Sequence, residues 1–308
     1  MNKILITGGK GAIGSNIAMY LNNLGHKITI IDNLTTPNRN KLDKNILFFK
    51  ADINNTNFLE NFFKNRKFDY LIHAAAFFAN QNSVDNPEKD LQVNGQGTIN
   101  LLKHLNKISK KFIYLSSSCV YEYDFIEDKN FSNSKSTPYA ISKKLGEDYV
   151  EYFCKRANKK YLNLRLFNNY GPGELPGKYR NVIPNFIYNA IKNKDLVITG
   201  SGDETRDFNF VEDTIKYIIK LSFSNKIYNQ VFNIGSGKSY KIADIAEKII
   251  KLSKSKSKIK YIKKREWDNI SKRKANVNKL KKYNVYIKPT KIDEGLNITI
   301  KWMKEIFR

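Results

Sequence analysis

The amino-acid sequence predicts an α/β fold in which a doubly wound parallel sheet is followed by a smaller C-terminal α/β lobe. Short apolar runs alternate with segments of helical periodicity, the first run leads into a glycine-rich turn, and glycine and proline cluster after Gly171. Such alternation is typical of a parallel sheet with helices on both faces. We therefore predict a first domain over residues 1–170 and a second lobe over 171–308. Segments 206–213 and 232–237 are candidates to return to the first domain.

Six apolar runs in the first domain predict strands. Each has the length of a strand and is rich in Ile, Leu, Phe or Tyr. They are Lys3–Thr7, Lys27–Ile31, Ile46–Lys50, Tyr70–Ala74, Lys111–Leu115 and Tyr161–Leu166. Helical periodicity follows the glycine-rich turn through Leu21 and Leu24, and it also covers Asp90 to Leu105 and Pro138 to Arg156.

The glycine-rich turn between the first strand and the first helix predicts a dinucleotide site of the Rossmann type. Gly8 permits a tight turn, Gly11 lets the backbone approach a pyrophosphate, and Gly14 allows close packing of the helix. The helix that starts around Ala12 and Ile13 offers unpaired N–H groups to phosphate oxygens. A lone motif of this kind is often an ordinary loop, so its context decides the interpretation.

Asp32 supplies that context, because it ends the second predicted strand. An acidic side chain at this position accepts hydrogen bonds from both ribose hydroxyls and repels a 2′-phosphate. The sequence therefore predicts NAD, rather than NADP, as the cofactor.

Tyr139 and Lys143 form a Tyr-x-x-x-Lys pair downstream of the nucleotide loop. Residues four apart share one helix face, so a lysine ammonium there is expected to lower the pKa of the phenol from its usual value near ~10. Tyr139 could then take a proton from a sugar hydroxyl while the carbon loses hydride, and Ser117 would hydrogen-bond the same oxygen. Surface helices contain this spacing by chance, and the upstream loop favours the catalytic interpretation.

The formal net charge of +25 is the unusual feature of the composition. A basic chain can bind nucleic acid or an acidic membrane surface. Here the lysines are spread along the chain, only Lys251–Lys264 is locally dense, and no nucleic-acid-binding module is recognised. We expect no nucleic-acid partner, and attraction for an anionic nucleotide-sugar is the simpler use of the charge.

The sequence also predicts a cytoplasmic protein without a membrane partner, since it contains no secretory segment and no apolar stretch of ~18 residues. Cys119 and Cys154 are too few for a disulfide framework and match no zinc-ligand spacing. We expect no metal, and we expect Cys154 to pack in a helix.

Taken together, these motifs resemble those of the extended short-chain dehydrogenases/reductases, in particular the nucleotide-sugar epimerase and dehydratase branch typified by UDP-glucose 4-epimerase. The resemblance covers essentially all 308 residues. The matching motifs are Thr7–Gly14, Asp32–Leu34, Ala51–Ile53, His73–Ala76, Asn94–Thr98, Ser116–Tyr121, Tyr139–Lys143, Arg165–Pro172 and Arg206–Phe208.

The resemblance implies a role for each matching residue. Counting back from Val120 selects Ser117 as the catalytic serine beside Tyr139 and Lys143, with Ser118 as the fallback. The implied NAD-binding residues are Gly8, Gly11, Ala12, Ile13, Gly14, Asp32, Asn33, Asp52, Ile53, Ala74, Ala75, Ala76, Asn94, Tyr139 and Lys143. The implied residues for the nucleotide-sugar substrate are Ser118, Asn168, Asn181, Val182, Arg206, Arg265 and Asp268, with Arg206 and Arg265 on the diphosphate. The hexose pocket is expected to include Phe77–Asn82 and Glu174–Arg180, and two long helices imply a homodimer.

The serine segment also distinguishes between reactions. Related 4,6-dehydratases carry Asp-Glu at the two positions that Ser118 and Cys119 occupy here, and decarboxylating relatives keep the glutamate. Neither residue supplies a carboxyl group, which favours a 4-epimerase acting on an NDP-hexose, with UDP-glucose and UDP-galactose as the expected type. A one-way 4-dehydrogenase or 4-keto-sugar reductase would have the same triad and stays an alternative. A non-catalytic NAD-binding module would be expected to lose Tyr139, Lys143 or the arginines.

Overall fold

A computed structural model describes residues 1–36, 40–121, 136–268 and 270–307. Its strands are β1 (Lys3–Thr7), β2 (Lys27–Asp32), β3 (Leu47–Lys50), β4 (Phe68–His73), β5 (Ile108–Ser117), β6 (Lys160–Leu166), β7 (Asn168–Tyr170), β8 (Leu196–Thr199), β9 (Thr205–Arg206), β10 (Phe208–Phe210), β11 (Gln230–Ile234), β12 (Tyr240–Lys241), β13 (Ile259–Ile262) and β14 (Lys272–Arg273). Its α-helices are α1 (Ala12–Asn23), α2 (Thr56–Lys64), α3 (Asn80–Asp85), α4 (Pro87–Asp90), α5 (Gly97–Leu102), α6 (Pro138–Arg156), α7 (Val182–Ile191), α8 (Val211–Phe223), α9 (Ile242–Ser253), α10 (Asn278–Lys282) and α11 (Ile292–Ile306).

Seven parallel strands form the central sheet in the order β11-β6-β5-β4-β1-β2-β3. This is the Rossmann strand order. Strands β2 and β3 are added on one side of β1 and β4 to β11 on the other, and a crevice forms at the carboxyl ends of β1 and β4, where the order reverses. The predicted α/β fold with a doubly wound parallel sheet is therefore confirmed.

Alternating side chains of the strands assign the helices to the two faces of the sheet. In β1, Ile4 and Ile6 pack in one core with Ile17 of α1, whereas Leu5 packs in the other with Phe63 of α2. All five side chains are fully buried. The apolar runs are continuous because both faces of a parallel sheet are covered.

The six predicted strands lie within one to three residues of their predicted ends. The largest difference is in β5, which starts at Ile108 and continues to Ser117. It extends through two serines because Ser116 and Ser117 still pair in register with Arg165 and Leu166 of β6. This extension carries the backbone of the catalytic candidate to the edge of the crevice.

Two helical predictions differ from the structure. The segment predicted as one helix from Asp90 to Leu105 comprises α4, a π-helical turn (Leu91–Gln96) and α5, followed by a short 3₁₀ turn. The helix starts earlier than predicted because Pro87 is well suited to a first helical position. Between β2 and β3 the described residues contain no helix, so this connection departs from the regular alternation.

The short strands outside the central sheet follow β6 in the chain and pair with one another. β13 pairs with β8, β12 and β14 flank β9, and β10 pairs with β7. Helices α7, α9 and α11 contribute buried side chains such as Phe186, Ile249 and Met303. A domain boundary near residue 170 stays a prediction, while β11 does join the main sheet. None of the described helices is long and apolar enough to cross a membrane.

Candidate active site

The glycine-rich turn closes tightly after β1. Gly8 has a φ of 68°, its N–H donates to the carbonyl of Ile31 at 2.8 Å, and its carbonyl accepts from Gly11 N at 3.0 Å. A Cβ added at Gly14 would lie 2.2 Å from that same Gly8 carbonyl oxygen. Both positions therefore require glycine, one for backbone conformation and one for space.

The start of α1 fits an anionic dinucleotide. Gly11 is the N-cap and supplies no side-chain hydrogen bond, and the first turn contains no acidic residue. The N–H groups of the first turn are therefore left for a ligand, and the helix dipole favours a negative charge there. Gly11, Ala12, Ile13 and Gly14 all line an inner cavity of about 230 Å³.

Asp32 lies beside this turn. One carboxylate oxygen accepts from Lys10 N and the other from Leu34 N, each at 2.8 Å. These bonds fix the carboxylate at the end of β2, where a ribose would be expected, and each oxygen keeps a further lone pair. Asp52 is close by, since it accepts from the side chain of Asn33 at 2.7 Å.

Several predicted cofactor residues support the groove without lining the inner cavity. Ile53 is buried, and a Cβ at Gly97 would meet its side chain at 2.5 Å. Ala74 and Ala76 line the inner cavity, while the backbone of Ala75 packs against Gly8. The predicted cofactor residues that lie outside the lining of this cavity are Asp32, Asn33, Asp52, Ile53, Ala75 and Asn94.

Asn94 uses its amide inside the protein. Its oxygen accepts from Phe77 N at 2.8 Å, and its nitrogen donates to Asp90 at 2.8 Å and to Ser142 at 3.1 Å. The side chain is buried. This geometry gives Asn94 a supporting position that fixes the backbone after β4 and joins it to α6.

The three catalytic candidates meet at the inner cavity. Helix α6 begins where Thr137 caps the N–H of Ala140 and Pro138 takes the first helical position. Tyr139 in the first turn of this helix and Lys143 in the next turn both line the cavity, as does Ser117 at the end of β5. Burial raises the pKa of Tyr139, and a side-chain interaction with Ser117 opposes only part of that rise.

The sequence predicts a lowered pKa for Tyr139 beside Lys143, and this prediction is wrong. Burial raises the pKa of Tyr139 above its ordinary value, and the charges of Cys119 and Asp90 act in the same direction. The ammonium of Lys143 lies 4.1 Å from the ring centre of Tyr114, and burial lowers the pKa of Lys143 to about 7.

Two carboxylates keep Lys143 from losing its proton altogether. Asp90 and Glu147 both raise the pKa of Lys143. Glu147 is itself held by Arg165, which donates from Nε at 2.8 Å and from an Nη at 2.6 Å in a buried two-point pair. This pair is fixed because it joins α6 to β6. The orientation of the acid beside Lys143 is thereby set by the central sheet.

An outer cavity adjoins the inner one. Among the residues predicted for the substrate, Ser118 lines the inner cavity, Asn168 and Asn181 line both, and the outer cavity contains Val182, Arg206, Arg265 and Asp268. The two cavities share Ala79, Asn80, Cys119, Asn168, Arg180 and Asn181. A ligand could therefore extend continuously from Tyr139 to the arginines.

The outer cavity is strongly cationic. Arg206 pairs with Asp268 at 3.3 Å, and burial lowers the pKa of Arg206. The guanidinium of Arg265 lies 5.7 Å from the ring centre of Trp267, whose indole N–H donates to Gln81 at 2.8 Å. Arginine forks of this kind suit the paired oxygens of a diphosphate.

Sequence reasoning missed three residues of the cleft. Arg273 lies in the outer cavity because β14 pairs in register with β9, which sets it opposite Arg206. Its only sequence signal was a short basic run. Trp267 also lines the outer cavity, and it is one of two tryptophans and lies two residues after Arg265. Thr36 lines the inner cavity and lies four residues after Asp32.

Comparison with known proteins agrees with this geometry. Residues 4–235 match the model of the NAD dependent epimerase/dehydratase family. A putative UDP-glucose 4-epimerase of Methanocaldococcus jannaschii is 35% identical over 247 residues, which is 79% of each chain. A UDP-N-acetyl-alpha-D-glucosaminuronate decarboxylase of Bacillus cytotoxicus is 31% identical over 319 residues, covering 99% of this chain and 98% of its own.

The fold is also similar to that of solved structures. The structure of the epimerase Mth375 of Methanothermobacter thermautotrophicus superposes with a TM-score of 0.94 at 38% identity, covering 99% of this chain and 92% of its own. The family match spans the glycine-rich turn, Ser117, Tyr139 and Lys143, all of which line the inner cavity, and it ends just after β11. The chain therefore belongs to the NAD dependent epimerase/dehydratase family, as an enzyme of nucleotide-sugar chemistry whose cofactor is NAD.

Proposed function

We propose that the protein is a nucleotide-sugar 4-epimerase that inverts C4 of an NDP-hexose, with a UDP-hexose of the glucose/galactose type as substrate. The observation that carries this proposal is the chemistry of Ser118 and Cys119. Both line the cleft beside Tyr139, and neither offers the carboxyl group that elimination or decarboxylation would use. Ser117, Tyr139 and Lys143, which line the same cavity, are the groups that hydride transfer at C4 would use.

In this mechanism Tyr139 takes the proton from the C4 hydroxyl, and Ser117 donates a hydrogen bond to the same oxygen. NAD would supply the hydride acceptor and, when oxidised, a positive charge that favours the phenolate of Tyr139. The 4-keto sugar then rotates and returns to the same residues with its opposite face presented. The hydride would return to the opposite face of C4 while Tyr139 gives the proton back, so that neither the protonation of the protein nor the oxidation state of the cofactor changes overall.

The outer cavity supports a nucleotide-sugar as the substrate. Arg206, Arg265 and Arg273 line the outer cavity, which Tyr139 does not, and their guanidinium groups suit the diphosphate of a substrate. The putative UDP-glucose 4-epimerase of M. jannaschii supports the uridine base and the reaction, whereas the decarboxylase relative supports the uridine base only.

We also propose that two copies pair through α6 and the helical segment from α4 to α5. Leu91, Ile141 and Tyr152 on these helices are 56%, 50% and 56% exposed, an unusual amount of apolar surface for helices that flank a sheet. Multi-angle light scattering would test this: a mass of one chain at micromolar concentration would contradict the dimer.

Proton NMR tests the reaction. The purified protein is incubated separately with UDP-glucose, UDP-galactose, their N-acetylamino forms and the UDP-uronic acids, while absorbance at the NADH wavelength is followed. A C4 epimer that accumulates to a fixed ratio without net NADH is the expected result. Steady NADH formation or a released keto sugar would assign a dehydrogenase or reductase instead, and a pentose product would assign a decarboxylase. Tyr139→Phe serves as the inactive control.

A further inference from the structure

The segment between β7 and α7 reaches from the substrate side of the cleft onto the glycine-rich turn. The carbonyl of Pro172 accepts from the side chain of Asn16 in α1 at 2.8 Å. A Cβ at Gly173 would lie 2.9 Å from the same amide nitrogen and 3.1 Å from the carbonyl oxygen of Ala12. This segment is therefore packed directly against the start of α1, where the diphosphate of a dinucleotide is expected.

Arg180, near the end of this segment, connects the two sides of the cleft. Its guanidinium donates to the hydroxyl of Thr36 at 3.2 Å. Thr36 lies in the loop after β2, on the cofactor side, and both residues line the inner cavity together with Gly8 and Gly11. The hydrogen bond thus places a fixed positive charge across the cavity from the glycine-rich turn.

The charged residues that line the inner cavity are few, which makes the position of Arg180 informative. Among the described residues that line it, Lys143 and Arg180 are the two cations. Lys143 is buried beside the reacting end, between Asp90 and Glu147. Lys10 of the glycine-rich turn lies over the ring of Phe48, 5.1 Å from its centre. A bound diphosphate carries two negative charges, and Arg180 is the remaining described cation of this cavity that could face them.

Glu174 is the one acid among the described lining residues, and it interacts with the charge of Arg180 as well as with Asn181. Its Oε1 accepts from the side chain of Asn181 at 3.0 Å. Burial raises the pKa of Glu174 to about 7 even though the charge of Arg180 lowers it, so at neutral pH Glu174 is only partly ionised. The charge of Arg180 is therefore incompletely compensated by the protein.

We propose that Arg180 is an NAD-binding residue supplied from the substrate side of the cleft: its guanidinium pairs with the cofactor diphosphate opposite the glycine-rich turn, and Thr36 holds it in place. The N–H groups of α1 and the fork of Arg180 then enclose the diphosphate from two sides. Release of NAD requires this contact to break, which keeps the cofactor in place during turnover.

The test is a direct measurement of ligand binding by isothermal titration of protein stripped of nucleotide. Arg180→Gln is expected to weaken NAD roughly ten- to hundredfold, the usual worth of hydrogen bonds to a charged group. ADP-ribose, which keeps the diphosphate, should lose the same factor, and adenosine should lose none. Arg180→Lys should recover part of the affinity, and Thr36→Val should weaken NAD by a few fold. Arg156→Gln, at the exposed end of α6, removes a positive charge away from the cleft as the matched control.

Binding of UDP to the same variants separates the two ligands. If Arg180→Gln weakens UDP but leaves NAD and ADP-ribose unchanged, Arg180 serves the substrate and the proposal is overturned. Equal loss for adenosine would also overturn it, because the effect would then lie outside the diphosphate. If Arg180→Gln fails to fold, as judged by circular dichroism, unchanged NAD affinity in both Arg180→Lys and Thr36→Val would count against the proposal.

Discussion

Asp90→Asn is expected to move the whole pH–rate profile of the enzyme toward acid. Lys143 is almost fully buried, and burial lowers its pKa from 10.5 to about 7 even though Asp90 and Glu147 both raise it. Asp90 has a pKa of about 6, so it is mostly ionised at pH 7. The substitution removes this charge while keeping an oxygen that can accept from Asn94.

The size of the shift follows from the loss of one nearby charge, which changes a pKa by about one unit or more. A drop of one unit leaves roughly a tenth of Lys143 protonated at pH 7, against about half before. The alkaline limb, where Lys143 loses its proton, therefore moves down by about one pH unit. The acid limb moves in the same direction, because Asp90 also raises the pKa of Tyr139. With NAD bound and pH 7 on the alkaline limb, only the protonated fraction of Lys143 changes there, so activity at pH 7 should fall about fivefold.

The assay is kcat/KM against pH at saturating NAD, with the titration of Lys143 followed separately by carbon-13 NMR of its side chain. Asp148→Asn is the control, since it removes an exposed carboxylate that lies on the same helix as Lys143 and pairs with Lys144. The reasoning is refuted if a folded Asp90→Asn protein shows an unchanged profile, or one moved toward alkali, while the control behaves like the wild type.

Three further predictions concern the base, the cofactor and the fold. Tyr139→Phe should reduce turnover by a factor of at least ~10² with NAD still bound; near-normal turnover with a UDP-sugar would rule out its role as the base. Asp32→Ala should weaken NAD and relax discrimination against NADP, and an unchanged preference for NAD in parallel titrations would contradict the assigned ribose contact. Lys111→Met should destabilise the protein by about 2–4 kcal/mol in urea denaturation, because the three N–H groups of the Lys111 ammonium are shared among four buried or partly buried backbone carbonyls between Leu221 and Ile227. An unchanged denaturation midpoint would show that water replaces those bonds.

The inner half of the cleft could be predicted from the sequence because local patterns specify it. A glycine-rich turn after an apolar strand fixes Gly8 and Gly14 by backbone geometry alone. The four-residue spacing of Tyr139 and Lys143 fixes their shared helix face. Parallel pairing then brings Ser117, at the end of β5, to the same edge of the sheet.

The outer half was less predictable because it depends on pairings that leave little trace in the sequence. Strands β9 and β14 have two residues each. Arg206 of β9 donates to the carbonyl of Ser271, which lies 65 positions further along the chain. A two-residue strand has no period to detect. Arg273 was therefore missed, and the contact between Arg180 and Thr36 crosses 144 positions with no local signal.

The protonation of the site is beyond sequence reasoning for a further reason: it is decided by competition between burial and charge. The four-residue spacing correctly placed a lysine near a tyrosine, and from this a lower pKa for Tyr139 was expected. Burial of both side chains reverses the outcome, since it disfavours the phenolate of Tyr139 and the ammonium of Lys143 alike. A buried pair of this kind keeps Tyr139 protonated until a further positive charge is brought into the cavity. The strength of the base is therefore expected to depend on the charge of the bound ligand, so that proton removal and hydride acceptance become possible together.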